Sequence, residues 1–319
     1  MTLLAPRERR RRSRSLGLQA ERCLAAILER ADGTLLGPYE TPQTDESTRP
    51  AGTFAAAERE HADGSSLFAH FGVGGRTVLA GRRVLDVGCG YGGRTVFYAE
   101  HCDAAEVHGV EPFEAMVERC RRFAAARGCA NVHFEVARAE ELPYPDESFD
   151  AVVSYDVLEH VDDPRVALRE MGRVLRGGGS AWLVFPTYLS ASAAHLDYVT
   201  RVPMLHRIFD PGTIVRVVNR RLEAEPDRFR VEPQPAPRVS ALGHLTVPGL
   251  NGMSLAEART FVAAAGLGIA REAIRPLFGP ASSYPLGRPL SRLLGWVQRH
   301  RELPELLVGA CAIHAVRPQ

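Results

Sequence analysis

The sequence predicts an α/β fold built on a doubly wound, mostly parallel sheet of seven strands. Short Val-rich runs alternate with helical stretches at regular intervals, which is the pattern of parallel strands connected by helices. One of these runs continues directly into a glycine-rich turn. The chain has 319 residues, of which 45% are hydrophobic and 24% charged, so we expect one large domain with an added segment.

The amino-terminal part contains three predicted segments. Residues 1–14 are basic and without apolar pattern, which predicts a disordered tail. From Leu16 onward the apolar residues fall on one helical face, so an amphipathic helix should follow. A loop rich in Gly and Pro then carries Tyr39 towards the body of the protein. We expect residues 15–64 to form a helix and loop that cover the site.

Five strands and their helices should form the core, residues 65–186, which begins with a short apolar helix around Leu67–Phe71. The predicted strands are Arg83–Val87, Val107–Val110, Val132–Val136, Ala151–Tyr155 and Ala181–Phe185. One helix has clear end signals, because Asp163 can cap it, Pro164 suits its first turn, and Gly177-Gly178-Gly179 should stop it.

After Pro186 the alternation stops for about sixty residues, and we interpret residues 187–253 as a substrate-binding lid inserted after the fifth strand. Residues 254–319 should complete the sheet. Ser254-Leu-Ala-Glu257 has the form of a capping box at a helix start, and the last two strands are predicted at Ile269–Leu277 and Leu306–Val316.

The composition excludes several kinds of enzyme. All 39 basic residues are arginine, and the absence of lysine excludes a Walker-type phosphate loop, a protein-kinase ATP site, a Schiff-base aldolase and a pyridoxal-phosphate enzyme. The formal net charge of +1 provides no general attraction to nucleic acid, so we expect no nucleic-acid partner.

The six cysteines include no C-x-x-C pair and have no histidine at zinc-site spacing, so we expect neither a metal nor a disulfide framework. This usage fits a reducing cytoplasm. No apolar run approaches the roughly 20 residues that cross a bilayer, and we expect no export signal and no membrane partner.

The most informative segment is Val84–Gly93, where an apolar strand leads into a turn with glycines at 88, 90 and 92 and then into a helix. Glycine is required where a ligand must touch the backbone, because any Cβ would hold the ligand away. Asp86 precedes this turn, and Glu111 closes the next strand, 23 positions after Gly88. That interval is close to the one expected for a carboxylate that binds both hydroxyls of a ribose.

This segment and three later motifs resemble the class I, Rossmann-like S-adenosylmethionine-dependent methyltransferases. The later motifs are Ala139-Glu-Glu-Leu-Pro-Tyr-Pro-Asp-Glu-Ser-Phe-Asp150, Ser154-Tyr-Asp-Val-Leu-Glu-His160 and Val174-Leu-Arg-Gly-Gly-Gly179. The resemblance is strong over about residues 65–186 and weak over 254–316. The glycine spacing and the motif after the third strand disfavour a dinucleotide-binding protein.

The resemblance implies S-adenosyl-L-methionine as the cofactor and assigns residues to its parts. The amino-acid end would lie on Asp86 and the glycine turn, the ribose on Glu111, and the methyl group near Tyr155 and Asp156. The cofactor-binding candidates are Asp86, Gly88, Cys89, Gly90, Gly92, Glu111, Pro112, Ala139, Glu140, Tyr155 and Asp156. Arg138 stands where the family usually has Asp, so Glu140 becomes the candidate acceptor for the adenine amine.

Methylation of a hydroxyl also needs a base with a pKa near neutrality. The candidate catalytic residues are His160, Tyr188, His195 and His206. The candidate substrate-binding residues are Tyr39, Tyr198, Arg201, Arg207 and His244. An insertion after the fifth strand emerges at the carboxyl edge of the sheet, where ligands bind in such folds. The polar residues of the insertion also have the ordinary interpretation of a lid surface, and His160 that of a residue that orders the loop after the fourth strand. The apolar residues around Leu205 and Phe209 are better explained as packing within the lid.

We therefore expect methyl transfer to a small molecule, in particular to a hydroxyl of a secondary metabolite, with a histidine as general base. Methylation of carbon in an alkene or enol, where Arg201 and Arg207 would meet an anionic substrate, is the first alternative, and methylation of nitrogen is the second. An RNA or protein methyltransferase and a non-catalytic cofactor-binding scaffold are alternatives from other classes. A homodimer is left open.

Overall fold

The structure, a computed structural model, describes residues 6–34, 55–59, 67–190, 199–200, 202–225, 238–246, 249–276, 293, 297 and 304–319. The strands of the main sheet are β1 (Arg83–Val87), β2 (Glu106–Glu111), β3 (Val132–Val136), β4 (Phe149–Tyr155), β5 (Leu175–Phe185), β8 (Gly268–Pro276) and β9 (Val308–Val316). A separate two-stranded sheet pairs β6 (Arg238–Val239) with β7 (Leu245–Thr246).

The main sheet has seven strands in the order β3-β2-β1-β4-β5-β9-β8. The first five strands in the chain pair in parallel, whereas β9 is antiparallel to both β5 and β8. This topology confirms the predicted doubly wound, mostly parallel α/β fold. The order of the strands reverses at β1, because β2 and β3 are added on one side of it and β4 and β5 on the other. Such a reversal opens a crevice for ligands at the carboxyl ends of the strands.

Helices lie on both faces of this sheet and in the segments added to it. They are α1 (Pro6–Ala31), α2 (residues 55–59), α3 (Gly75–Leu79), α4 (Gly93–His101), α5 (Glu114–Ala126), α6 (Pro164–Val174), α7 (Leu205–Ile208), α8 (Pro211–Ala224) and α9 (Leu255–Ala264), with short 3-10 helices at Leu67–Phe71 and Glu305–Leu307. One apolar core contains side chains of α6 and α9, and the other contains side chains of α4, α5 and the first 3-10 helix. No described helix is long and apolar enough to cross a membrane.

The predicted helix signals of the core have the expected contacts. Asp163 caps α6 by accepting a hydrogen bond from the amide of Arg165, with Pro164 next to it. Ser254 and Glu257 form the complete capping box that opens α9. The glycines at 177–179 do not end α6, which stops before them at Val174, and they lie within β5 instead.

The amino terminus differs from the prediction. We expected residues 1–14 to be disordered, but α1 begins at Pro6. Arginine is a good helix former and no glycine precedes Gly17, so a helix nucleated by the amphipathic part can extend towards the amino terminus. The lack of an apolar face in residues 1–14 does not by itself prevent such an extension.

Helix α1 packs against α8 of the insertion. Leu24 and Leu28 of α1 are buried with Ile214 and Val217 of α8 in one apolar cluster, which also takes up Leu205 and Phe209. At its border, Glu21 of α1 pairs with two arginines of α8, Arg216 at 2.7 Å and Arg220 at 2.6 Å. The apolar residues that could have lined a substrate pocket therefore pack within the insertion and against α1.

Candidate functional site

A cavity of about 620 Å³ opens at the carboxyl ends of β1, β2 and β4. Ten of the eleven predicted cofactor-binding residues line it, and the eleventh, Gly92, instead caps the amino terminus of α4. Its described lining residues are Glu58, Asp86, Gly88, Cys89, Gly90, Arg94, Glu111, Pro112, Phe113, Ala137, Arg138, Ala139, Glu140, Tyr155, Asp156, Val157, His160, Val161, Asp162 and Gly249. The sequence motifs thus identified one continuous surface.

The turn between β1 and α4 forms the floor of the cavity. Gly88 and Gly92 have φ angles of 73° and 81°, in the left-handed region that other residues rarely adopt. A Cβ at Gly93 would lie only 2.0 Å from the carbonyl oxygen of Ala55 in α2. The turn is therefore tightly packed from outside and leaves its inner surface open to a ligand.

Asp86 lies buried beneath this turn. Its Oδ2 accepts a hydrogen bond from the hydroxyl of Thr95 at 2.7 Å. Burial raises the pKa of Asp86 to about 7, and the hydrogen bond from Thr95 opposes the shift only in part. A carboxylate placed in this way gains most from a cationic ligand, because a positive charge would offset the cost of its ionisation.

Glu111, at the end of β2, faces the turn. Its Oε2 accepts a hydrogen bond from the amide of Gly90 at 3.3 Å. Burial raises the pKa of Glu111, and the negative charge of Glu58 adds to the effect. The other oxygen, Oε1, can accept a hydrogen bond from a ligand hydroxyl.

Glu58 and Arg94 are two of the lining residues that no sequence motif indicated. Glu58 of α2 accepts hydrogen bonds from the amide of Tyr91 at 3.3 Å and of Gly93 at 3.0 Å, and burial raises its pKa. Arg94 stacks on the ring of Tyr155 at 3.9 Å, and its buried Nε has no hydrogen-bond partner in the part of the chain that the structure describes. Glu58 lies far from the motifs in sequence, and Arg94 had no signal beyond its place after the glycines.

The loop after β4 forms a second wall. Asp156 has a φ of 55°, and its amide donates to the carbonyl oxygen of Val184 at 2.8 Å. Its side chain faces the cavity, where the surrounding protein removes enough water to raise its pKa. Such a backbone conformation in a non-glycine residue is strained and is often found at functional sites.

His160 and Glu159 are neighbours at the end of this loop. Nδ1 of His160 donates to the carbonyl oxygen of Gly249 at 2.6 Å, and Nε2 lies 3.7 Å from Oε1 of Glu159. Glu159 is buried, and neither of its carboxyl oxygens has a hydrogen-bond partner among the described residues. Burial raises the pKa of this carboxyl well above its usual range.

Asn251 of the insertion holds the loop in place. Its side-chain amide donates to the carbonyl oxygens of Leu158 at 2.6 Å and Val161 at 3.0 Å, and its own amide N–H donates to the carbonyl oxygen of Glu159 at 2.9 Å. Sequence reasoning missed this residue, because its partners lie about ninety positions away. The insertion therefore supports the wall that carries His160.

Glu140, in the segment after β3, braces the loop that follows β4. Its Oε1 accepts hydrogen bonds from the amides of Asp162 at 2.7 Å and Asp163 at 3.3 Å, while Oε2 lies 3.6 Å from Nε of Arg138. Arg138 also donates to Asp162 at 2.6 Å. Glu140 thus reaches the cavity, but most of its accepting capacity serves the protein, which weakens its predicted role towards an adenine amine.

Four predicted residues do not line the cavity. His206 is buried and donates from Nε2 to the carbonyl oxygen of Tyr188 at 2.9 Å, so the two hold each other. His244 pairs with Glu257 of α9 at 2.9 Å, and Arg207 is exposed on α7. The two histidines thus make hydrogen bonds within the protein, and Arg207 belongs to the exposed surface of the insertion. Tyr39, His195, Tyr198 and Arg201 lie outside the described residues.

The comparisons with known proteins agree with this geometry. Residues 85–183 match the family model of the methyltransferase domain. The chain is 39% identical over 135 residues to the uncharacterized methyltransferase YcgJ of Bacillus subtilis, which covers 42% of this chain and 51% of that one. It is 44% identical over 101 residues to 27-O-demethylrifamycin SV methyltransferase of Amycolatopsis mediterranei, covering 31% and 37%. The chain thus spans about half the length of such relatives or less.

Among solved structures, a putative S-adenosylmethionine-dependent methyltransferase from Listeria monocytogenes superposes with a TM-score of 0.50 at 18% identity, covering 82% of this chain and 100% of the other. This likeness concerns the fold. The matched residues run from β1 to β5 and contain the glycine turn, Glu111 and the loop after β4. Residues 85–183, from β1 to β5, thus carry a methyltransferase domain of the class I, S-adenosylmethionine-dependent kind.

Proposed function

We propose that this protein transfers a methyl group to a hydroxyl of a small molecule, with His160 as the general base. The observation that carries the proposal is the position of His160, which lines the cavity and has its ring fixed by the hydrogen bond from Nδ1 to Gly249. Since a carbonyl oxygen only accepts, Nδ1 holds the proton and Nε2 holds the lone pair.

The cavity fits S-adenosyl-L-methionine chemically. Its acidic side chains, Glu58, Asp86, Glu111 and Asp156, suit a ligand that presents an ammonium, a sulfonium and two ribose hydroxyls. The buried and unpartnered Nε of Arg94 suits a carboxylate. When bound, this cofactor supplies a methyl group that is already activated for transfer.

We assign the residues accordingly. Asp86 meets the ammonium group, Glu111 accepts from the ribose hydroxyls, and Arg94 meets the carboxylate of the amino-acid end. Phe113, whose side chain is 66% exposed, offers its ring to the adenine. Asp156 borders the reacting centre, where its negative charge favours a cationic sulfur.

Glu159 serves His160 as a positioning residue. When His160 takes the proton of the substrate hydroxyl, it becomes a cation 3.7 Å from Glu159. That charge favours the carboxylate form of Glu159, whose pKa burial otherwise raises. Glu159 stabilises the imidazolium only as a carboxylate, so its own proton must be released to solvent as His160 takes up the proton of the substrate.

The relative that methylates position 27-O of a rifamycin precursor, as its name states, supports oxygen as the acceptor atom and a secondary metabolite as the substrate class. All six cysteines are free thiols, which supports work in a reducing cytoplasm. Carbon methylation of an anionic substrate would depend on Arg201 and Arg207. Arg201 lies outside the described residues and Arg207 does not line the cavity, so the described residues offer no observation that favours this alternative.

A transfer assay tests the proposal. The purified protein is incubated with cofactor carrying an isotope-labelled methyl group and a panel of phenols, aliphatic alcohols and amines. We expect label on hydroxyl acceptors, and for His160→Gln a loss of about a hundredfold or more in kcat with the cofactor Kd unchanged. Equal activity of His160→Gln and the native protein at neutral pH would remove His160 as the base, and label on amines alone would remove hydroxyl methylation.

A further inference from the structure

We propose that Glu106, His108 and His133 form a binding site for a divalent transition metal ion, with Zn²⁺ as the natural fit. The three side chains lie on β2 and β3, and the cofactor cavity lies at the opposite end of these strands. His108 is three residues before Glu111, which corresponds to roughly 10 Å along a strand. The sequence predicts no metal, because a ligand set brought together by strand pairing is not apparent from spacing along the chain.

The pairing of the two strands creates the cluster. Residues 106 and 108 lie on the same face of β2, and His133 of β3 pairs in register with His108. Nε2 of His108 lies 3.0 Å from Oε1 of Glu106, and Nε2 of His133 lies 3.3 Å from the same oxygen. All three ligand atoms lie within 4.8 Å of one another.

These distances suit a tetrahedral ion. With zinc bonds of about 2.0–2.1 Å, neighbouring ligand atoms stand roughly 3.3 Å apart. Two of the three separations already have this value or are slightly shorter, so only small side-chain rotations are needed. Two imidazoles and one carboxylate leave one position open for water.

The surroundings of His108 and Glu106 favour the protonation states in which these side chains bind a metal. Burial lowers the pKa of His108, which keeps a lone pair available on its ring at neutral pH. Burial opposes ionisation of Glu106, but hydrogen bonds from His108 and Arg83 and the charge of Arg83 outweigh it and lower the pKa of this carboxyl. The cluster therefore offers a carboxylate ligand, and the two imidazole nitrogens lie within 4.8 Å of it.

Arg83 is the main competitor. Its Nε donates to Oε2 of Glu106 at 2.8 Å, and its Nη2 lies 3.3 Å from Nε2 of His108. A metal would bind Oε1 and displace only the Nη2 contact, while the bond to Oε2 orients the carboxylate from outside. The guanidinium charge must still weaken the site, so replacing Arg83 should strengthen metal binding.

Binding would have a structural consequence. Strand β3 is at the edge of the sheet, and a metal held by His108 and His133 would cross-link it to β2. The chain leaving β3 forms one wall of the cavity at residues 137–140. The ion would therefore stabilise the edge that continues into the cofactor site.

A titration with Co²⁺ and Zn²⁺ tests the site. We expect one Co²⁺ per chain with visible d–d absorption and without a thiolate charge-transfer band, which separates it from binding to cysteines. In thermal unfolding, Zn²⁺ at about a hundred times its Kd should raise Tm by roughly 5 °C. Both readouts are independent of methyl transfer.

Three variants decide the assignment. His133→Gln, at an exposed position, should bind Co²⁺ at least about tenfold more weakly, and Arg83→Gln should bind it more tightly. The control is His101→Gln, which alters another surface histidine beside a glutamate, Glu100 at 3.7 Å, and should leave the Kd within about twofold. Unchanged binding in His133→Gln, greater loss in His101→Gln, or a thiolate band would each overturn the proposal.

Discussion

A Cβ atom placed on Gly88 would lie 2.3 Å from Cγ2 of Val157, so the turn after β1 and the loop after β4 touch in the lining of the cavity. Gly88 also has a φ of 73°. Two separate demands therefore require glycine at this position, a left-handed backbone and the close approach of a neighbouring loop.

Replacing Gly88 by alanine should reduce cofactor binding about a hundredfold, because Val157 must move and the wall carrying Asp156 moves with it. The matched control is Gly81→Ala, where φ is 71° but no atom lies within 4 Å of the added Cβ. It should cost about 1 kcal/mol in stability and leave binding intact. Calorimetric titration with S-adenosylhomocysteine measures both variants, and equal losses in the two would show that backbone strain alone is responsible.

Arg94 should bind the carboxylate of the amino-acid end of the cofactor. We expect Arg94→Met to weaken S-adenosylhomocysteine about tenfold or more and to leave 5′-methylthioadenosine, which lacks the amino-acid group, almost unaffected. Arg138→Gln, which alters another arginine of the cavity lining, should weaken neither ligand selectively. Parallel loss of both ligands in Arg94→Met would instead assign the residue to packing against Tyr155.

The raised pKa of Asp86 predicts a pH-dependent stability of the protein without cofactor. An acid whose pKa rises from 3.8 to about 7 on folding binds more protons in the folded state, so the free energy of unfolding falls as pH rises between these values. Asp86→Asn should be more stable than the native protein above pH 7, by up to about 4 kcal/mol, and should lose this advantage towards pH 4. Urea unfolding from pH 4 to 8 measures the difference, and parallel curves would contradict the burial of a titrating Asp86.

Asn251 should matter for stability and for the site together. Asn251→Ala leaves the carbonyl oxygens of Leu158 and Val161 without their donor and should cost about 2–4 kcal/mol. Because these carbonyls flank His160, kcat should fall more than cofactor affinity. Asn219→Ala in α8 is a control that should change stability without this selective loss in kcat. A uniform fall in both parameters for Asn251→Ala would indicate simple unfolding.

The sequence predicted the core well because its signals are local. Strand β1, the glycine turn and Glu111 lie within thirty residues, and the period of apolar residues together with the backbone demands of the turn specify them. Asp163 and Ser254 likewise contact amides only two or three positions away, so their caps could be recognised from spacing alone.

The remaining site residues depend on contacts between distant segments. Glu58 meets the amide of Gly93 from 35 positions away, and Asn251 meets Leu158 from 93. Neither the period of apolar residues nor the spacing within a motif indicates a contact between such distant residues. His206 and His244 were chosen for their chemistry, yet their hydrogen bonds to Tyr188 and Glu257 give them bracing roles, which residue type alone cannot distinguish from catalysis.

The contact between α1 and α8 makes the amino-terminal helix and the insertion depend on each other for the burial of their apolar residues. Leu24 and Leu28 lie near the beginning of the chain, and Ile214 and Val217 lie about two hundred residues later. Each pair covers the other and keeps it away from water. A chimera that takes its insertion from a homologue would have to take the first helix with it. Exchanging one alone would leave an apolar stripe facing water and favour aggregation even with an intact methyltransferase core.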